Sequence, residues 1–256
     1  MRRVGPPLAA AAILLALFGA WELYVALSGI DPLLLPPPHD VAQALWDDRA
    51  LLWDDLRVTA GEMLLGILLA GVAGFALPVV LHLSLPLRRS VYPLLIASQT
   101  IPIVLIAPLL VTWLGFGIAT KLVIIALVCF FPIVVTTLDA LSRVDPELRK
   151  LLRTLGASRL RVLRHVELPA ALPGLFSGAK VAVTFAAIAA VFAEWSGSSA
   201  GLGHLVQQAI PQLFTARAYA AVLILSTFSI VLFCLLTLAE RAIVPWAYDP
   251  PGGTRR

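Results

Sequence analysis

Residues 145–173 read DPELRKLLRTLGASRLRVLRHVELPAALP, the one long polar interval between strongly apolar segments. With Arg143 just upstream, the interval carries seven of the nineteen basic residues. Asp145 is a good N-cap, and Pro146 suits the first helical position, where its missing N–H costs nothing. Leu148, Leu151, Leu152 and Leu155 recur at i, i+3, i+4 and i+7, one apolar face of a helix, while Arg149, Lys150 and Arg153 point elsewhere. Gly156 follows where a left-handed C-terminal residue is wanted. Ser158 is placed to cap a second short helix, with Leu160, Leu163 and Val166 inward and Arg159, Arg161 and Arg164 outward. Leu168-Pro169 is expected to end it. The prediction is a helix–glycine–helix hand held outside a membrane between two spans.

Composition demands the membrane. Hydrophobic residues make up 60% of the chain and charged residues 13%, against about 25% charged in soluble domains. Mean hydropathy is +0.93. The net charge of +4 would suit a nucleic-acid binder, but the basic residues cluster beside apolar spans, as membrane topology requires. Cys129 and Cys234 both lie inside apolar runs and give neither a disulfide framework nor metal-ligand spacing.

Six spans are predicted, near 8–27, 58–82, 91–113, 118–141, 174–195 and 218–244, in an all-α polytopic bundle forming one membrane domain over 1–256. Each is long enough to cross a hydrocarbon core of about 30 Å. Arg2-Arg3 before the first run also fits a signal peptide, but a span there keeps both termini on one side. With the N-terminus inside, the cytoplasmic side receives Arg2, Arg3, Arg88, Arg89, the seven bases of 143–164, Arg241, Arg255 and Arg256, fourteen of nineteen. Arg49, Arg57, Lys121 and Arg217 fall outside. This bias sets the expected orientation, with the loop 142–173 and both termini cytoplasmic.

The outer segment Ser28–Arg57 holds Pro36-Pro37-Pro38, then Val41, Leu45, Trp46, Leu52 and Trp53 among five aspartates from Asp40 to Asp55. It reads as an interfacial amphipathic helix, either a contact surface for an extracytoplasmic partner or a plain connector on the lipid. Gly66, Ala70 and Gly74 form a small-residue stripe on span two, suited to packing within the chain or between subunits. Pro93, Pro102 and Pro108 are expected to interrupt span three around Gln99 and Thr100, which face protein or a translocation pathway. In span four, Thr136 and Thr137 beyond Pro132 are expected to bond their own backbone. Lys180, Thr184, Ala187, Val191 and Glu194 share one face of span five. Lys180 either lines the pathway or snorkels to the cytoplasmic surface. Glu194, about 21 Å further along the axis, reads as an interfacial charge or a pathway residue. A glycine-rich turn with Gly197, Gly201 and Gly203 follows, with a short helix over Leu202–Ile210. The tail Asp249–Arg256 reads as disordered.

Part of the interval resembles a known family. Gly156, then Val166, then Leu168-Pro169 match the cytoplasmic loop signature of permease subunits of bacterial ATP-binding cassette importers. That signature opens with Glu-Ala-Ala six residues before the glycine, where this chain has Lys150-Leu151-Leu152. Thr154 to Ser158 and Leu168 to Pro173 look like the nitrate/sulfonate/taurine type, including its thiamine-pyrimidine-precursor branch, toward which Phe116-Gly117 and Glu194-Trp195 lean. The resemblance covers roughly Thr59 to Trp246. It implies two copies of the permease around a pathway and an extracytoplasmic solute-binding protein. It also implies two ATPase subunits docked on Leu148, Leu151, Leu155, Gly156, Ala157, Ser158, Val166, Leu168 and Pro169.

No catalytic constellation is visible. The four histidines lie in separate segments without ligand spacing, no serine has a G-x-S-x-G context, and no G-x-x-x-x-G-K-[ST] loop occurs. The expectation is a transport subunit, not an enzyme, binding no cofactor of its own, with ATP and Mg on the partner ATPases. Two other classes compete. A secondary transporter would show an inverted repeat with matching broken helices, and only span three is broken. A non-transporting scaffold would rest the basic loop on anionic lipid.

Overall fold

The computed structural model describes residues 6–248. The expectations placed on Arg2, Arg3 and the tail Asp249–Arg256 lie outside the described residues. Every regular element among the described residues is helical: α1 (Pro6–Ser28), α2 (Pro38–Asp47), α3 (Arg49–Leu83), α4 (Leu85–Ser98), α5 (Ile103–Leu114), α6 (Ile118–Ser142), α7 (Pro146–Thr154), α8 (Arg159–Val162), a π-helical turn (Leu163–Glu167), α9 (Leu168–Trp195), α10 (Leu202–Ala209), α11 (Thr215–Ile243) and a closing 3-10 turn (Pro245–Ala247). Among the described residues, five helical stretches are long and apolar enough to cross a membrane: 11–28, 49–83, 118–142, 159–195 and 215–243. Taken as one broken span, the α4–α5 pair, bent by 99°, makes a sixth.

That bend divides the third span at Gln99–Pro102, around the expected break, and only one of its three prolines causes it. Pro102 lacks an N–H and biases Ile101 away from helical geometry, so the chain breaks over Gln99–Pro102. The end of α4 tightens there, with the Gln99 and Thr100 amides donating to Ile96 and Ala97. Pro93 and Pro108, expected to interrupt as well, sit inside α4 and α5 without breaking them. The outer segment also divides differently from its reading. Leu52 and Trp53 belong to α3, which at 35 residues measures about 52 Å and outruns a hydrocarbon core of about 30 Å.

Two compact units make up the chain. The first comprises residues up to Val58 and from Ser199 to Leu225. It is tied by polar contacts. Arg217 grips Asp48 with two hydrogen bonds of 2.7 and 2.8 Å, and the Gly201 amide donates to Asp55 at 2.8 Å. The His39 ring meets Glu22 at 2.7 Å and Asp40 at 3.2 Å. The hydrogen bond to the Glu22 carboxylate raises the His39 pKa above its ordinary value, with the charges of Glu22 and Asp40 in support and desolvation opposed. Trp21 packs on Tyr219 with ring centroids 5.6 Å apart.

The second unit comprises Thr59–Ser198 and the chain from Ser226. Its centre is the close approach of α6 and α9. A Cβ on Gly174 would lie 2.8 Å from the Thr136 carbonyl oxygen, and one on Gly178 would lie 2.8 Å from the Ile133 Cα and would also meet the Thr136 hydroxyl. Ala182, Ala186, Ala189, Ala190 and Ala193 continue this buried face. Small residues at such spacing let two backbones touch. The stripe on α3 packs within the chain too: Cβ atoms on Gly66 and Gly74 would collide with Ile125 and Ile133 of α6. Thr136 bonds the Pro132 carbonyl at 2.8 Å, as expected of a helix hydroxyl. Thr137 is fully buried with no partner for its hydroxyl.

Candidate functional site

The hand forms from its local signals. The Asp145 carboxylate accepts the Glu147 amide at 2.8 Å, capping α7. Gly156 adopts φ +85°. Its amide donates to Arg153 at 2.9 Å, and the Ala157 amide reaches back to Leu152 at 3.0 Å. This paired 5→2 and 6→1 pattern is the Schellman closure that favours glycine. Ser158 accepts the Arg161 amide and caps α8.

Beyond α8 the structure departs from the sequence reading. Leu168-Pro169 does not end the second helix. The chain widens into the π turn Leu163–Glu167 and runs straight on into α9, so 159–195 is one helical stretch. Pro169 stands in the first turn of α9, where its missing N–H does little harm. Leu160, expected inward, is exposed, while Leu163 is buried and Val166 half-buried.

The hand has two unlike faces. Leu148, Leu151 and Leu155 are 40, 56 and 74% exposed, an apolar stripe on an otherwise polar helix that buries no residue. Ala157 is half-buried and Ser158 exposed beside it, whereas Leu168 and Pro169 lie half-buried at the root. The inner face is anchored by charge. Arg149 Nε lies 2.8 Å from Glu167 Oε1, an ion pair without hydrogen-bond alignment, and its Nη2 donates to the Leu141 carbonyl at 2.8 Å. His82 Nε2 approaches the other Glu167 oxygen at 3.2 Å. Arg159 donates to the Leu83 carbonyl, and Arg88 to Ser142 at 2.9 Å. Leu141, Leu163 and Ala171 form the buried core beneath, with Val79, Leu83 and Leu168 against it.

The pathway candidates do not converge on one point. Gln99 and Thr100 sit exposed at the α4–α5 break. Thr184 is exposed, its hydroxyl on the Val181 carbonyl, beside a cleft of about 370 Å³ that Ser226 and Ser229 also line. Lys180 forms an ion pair with Glu240 at 2.8 Å, and Tyr248 donates to the same carboxylate at 2.5 Å. Glu194 is not the interfacial charge favoured by its position near a helix end. It is fully buried and accepts a 2.6 Å bond from Thr59 of α3.

One turn further along α3, Glu62 meets Lys121 at 2.5 Å, and Lys121 also donates to Ser198 at 2.6 Å. Sequence reasoning missed Glu62, Glu167 and Glu240. Their signal was an ionisable residue inside or beside an apolar run, which demands a partner; Lys121, His82 and Lys180 stood 59, 85 and 60 residues away, and Arg149, the second partner of Glu167, on a separate helix. On the first unit, Asp40, Gln43, Asp47, Phe214 and Arg217 line a cleft of about 400 Å³.

Residues 62–245 match the family described as "binding-protein-dependent transport system inner membrane component". The formylaminopyrimidine transport permease protein ThiX of Halalkalibacterium halodurans is 33% identical, over 91% of this chain and 93% of that protein. The riboflavin transport system permease protein RibX of Chloroflexus aurantiacus is 34% identical, over 94% and 91%. More distant relatives are named as taurine, aliphatic sulfonate and nitrate permeases. A structure of the MetNI methionine ABC transporter in inward facing conformations shares the fold, with TM-score 0.61 and 22% identity, covering 80% of this chain and 98% of that one.

Proposed function

The chain belongs to the inner-membrane components of binding-protein-dependent transport systems, as a multi-pass permease subunit of an ATP-binding cassette importer, and on that premise we propose that its hand is the docking surface for a separate ATPase. The observation that carries this is the exposed stripe Leu148, Leu151 and Leu155, held on a capped, Schellman-closed helix whose inner face is already committed to the bundle. Apolar surface on a rigid helix, rimmed by charge, is what a partner groove can grip. Gly156, Ala157 and Ser158 set its angle, and Val166, Leu168 and Pro169 connect it to α9.

Two copies of the chain enclose the pathway, two ATPases hold ATP and Mg, and an extracytoplasmic binding protein delivers solute. The hand and both termini are cytoplasmic. The cleft with Asp40, Asp47 and Phe214 then faces outward, toward the binding protein. Gln99, Thr100 and Thr184 are the exposed polar residues of the pathway. Lys180 closes its cytoplasmic mouth through Glu240. Glu194 bears on the pathway through Thr59. The solute is a flat nitrogen heterocycle, in keeping with what the relatives at 33 and 34% identity are named for.

The test is copurification. Leu151→Asp should abolish retention of the ATPase while the chain still inserts in the membrane; full retention would refute the docking role. Single cysteines at 47, 89, 158 and 207, without Cys129 and Cys234, test orientation. An impermeant maleimide on intact cells should label 47 and 207 only. Uptake of labelled formylaminopyrimidine, riboflavin and taurine then ranks solutes, with taurine expected last.

A further inference from the structure

The hand is joined to the spans by a feature that docking alone does not require. The helical stretch 159–195 is regular except at Leu163–Glu167, where it widens into a π turn. Such turns cluster at functional sites, because the extra residue re-aims a side chain within a continuous helix. The residue re-aimed here is Glu167, 6% exposed, at the end of the turn. Its carboxylate lies between Arg149 of α7 and His82, the penultimate residue of α3. Arg149 also holds the Leu141 carbonyl near the end of α6. Glu147 and Lys150, the neighbouring charges of α7, pair with each other at the surface instead.

We infer that Arg149, Glu167 and His82 form the transmission joint of this permease, passing displacement of the hand to α9 and α3 together. The inference rests on the hand being the ATPase dock. Separating a buried ion pair is costly in a low dielectric, so elements joined by one resist relative motion. A push on the outer leucines is therefore conveyed at Arg149, not absorbed by bending between α7 and the bundle. The three are positioning residues; none need touch solute or nucleotide.

The experiment uses the whole complex in proteoliposomes and reads two quantities at once. One is ATP hydrolysis. The other is the ATP-dependent change in maleimide labelling rate at Thr184→Cys, in a background lacking Cys129 and Cys234, which reports span rearrangement without knowledge of the solute. Glu167→Gln should keep ATPase copurification and hydrolysis but reduce the ATP-dependent labelling change on the order of tenfold, within the usual range of coupling between sites. Arg149→Gln, at the more exposed partner of the pair, should do the same, and Arg149→Lys should restore coupling. An undiminished labelling change in Glu167→Gln or Arg149→Gln overturns the joint. Retention of the ATPase by Leu151→Asp instead overturns the dock, and the joint with it.

Discussion

Two buried charge clusters share α3, at Glu62 and at His82, about 30 Å apart along the helix. At the Glu62 end, Lys121 is held by Glu62 and Ser198, and Thr59 by Glu194. These partners belong to spans or to the turn just after one. At the His82 end, Glu167 is shared between a span residue and Arg149, which stands on a helix outside the spans. The first arrangement joins spans to one another and holds the bundle together. The second reaches out of the bundle to an element with a free apolar face. Similar ion pairs thus serve stability at one end and communication at the other, and the element that carries the partner decides which.

The largest effect should come from breaking the closed end. Lys121→Leu strands Glu62, whose second oxygen is already buried without a partner. Removing one member of a buried pair costs about 3–5 kcal/mol. Thermal unfolding of the purified chain in detergent should show it, and Lys121→Leu with Glu62→Gln should recover much of the loss. A single variant as stable as wild type would erase the contrast between the two ends.

Next in size is the α6–α9 contact that underlies both clusters. A side chain at Gly178 meets backbone at Ile133 and Pro132, which cannot swing aside. Gly178→Val should cost about 1–3 kcal/mol as overpacking, read in the same unfolding assay. Gly66→Ala meets only the Ile125 side chain and should cost less.

Gly156 sharpens the comparison from the other side. Its surroundings are open, so a substitution meets no clash, only the strain of φ +85°. That strain is about 1–2 kcal/mol for a non-glycine residue and worse for a β-branched one. Gly156→Val should leave unfolding of the spans nearly unchanged yet lose ATPase copurification or uncouple hydrolysis from uptake. Gly156→Asn should be milder. Equal damage to unfolding from Gly156→Val and Gly178→Val would mean that hand and bundle are one cooperative unit.

The smallest effect is expected at His39, an exposed charge contact that serves as a control for the buried ones. Its folded pKa is raised from 6.5 by the hydrogen bond to Glu22. The stabilisation of the α1–α2 connection is therefore fully present below about pH 6.5 and is lost as pH rises through the raised folded value. Imidazole titration by NMR should give a midpoint above that of a free histidine, and His39→Gln should flatten the pH dependence of proteolysis near Pro36. A midpoint at or below the free value would remove the contact from consideration.

Most helices and their ends were legible in the sequence because their causes are local. Apolar run length located the spans, Pro102 broke the third, and Asp145, Gly156 and Ser158 punctuated the hand within a few residues of where they act. Leu148, Leu151 and Leu155 were recognisable as one face because helical periodicity does not depend on what that face meets. The π turn was not legible: Leu168-Pro169 reads as a stop, and only continuous packing of Leu163 and Ala171 on Leu141 carries the helix through it.

The charge partners were equally hidden. Lys180 and Glu194 showed which side of α9 they occupy, but not that Glu240 and Thr59 would stand opposite, 60 and 135 residues away. Sequence by itself determined most of the helices and the first helix and turn of the hand, since each follows from hydrogen bonding and burial within a few turns. Tertiary structure alone decided which charges neutralise one another, because that depends on how far one helix slides along the next. For Lys121 and Glu62 that register is set where Gly66 and Gly74 let α3 come down onto Ile125 and Ile133 of α6.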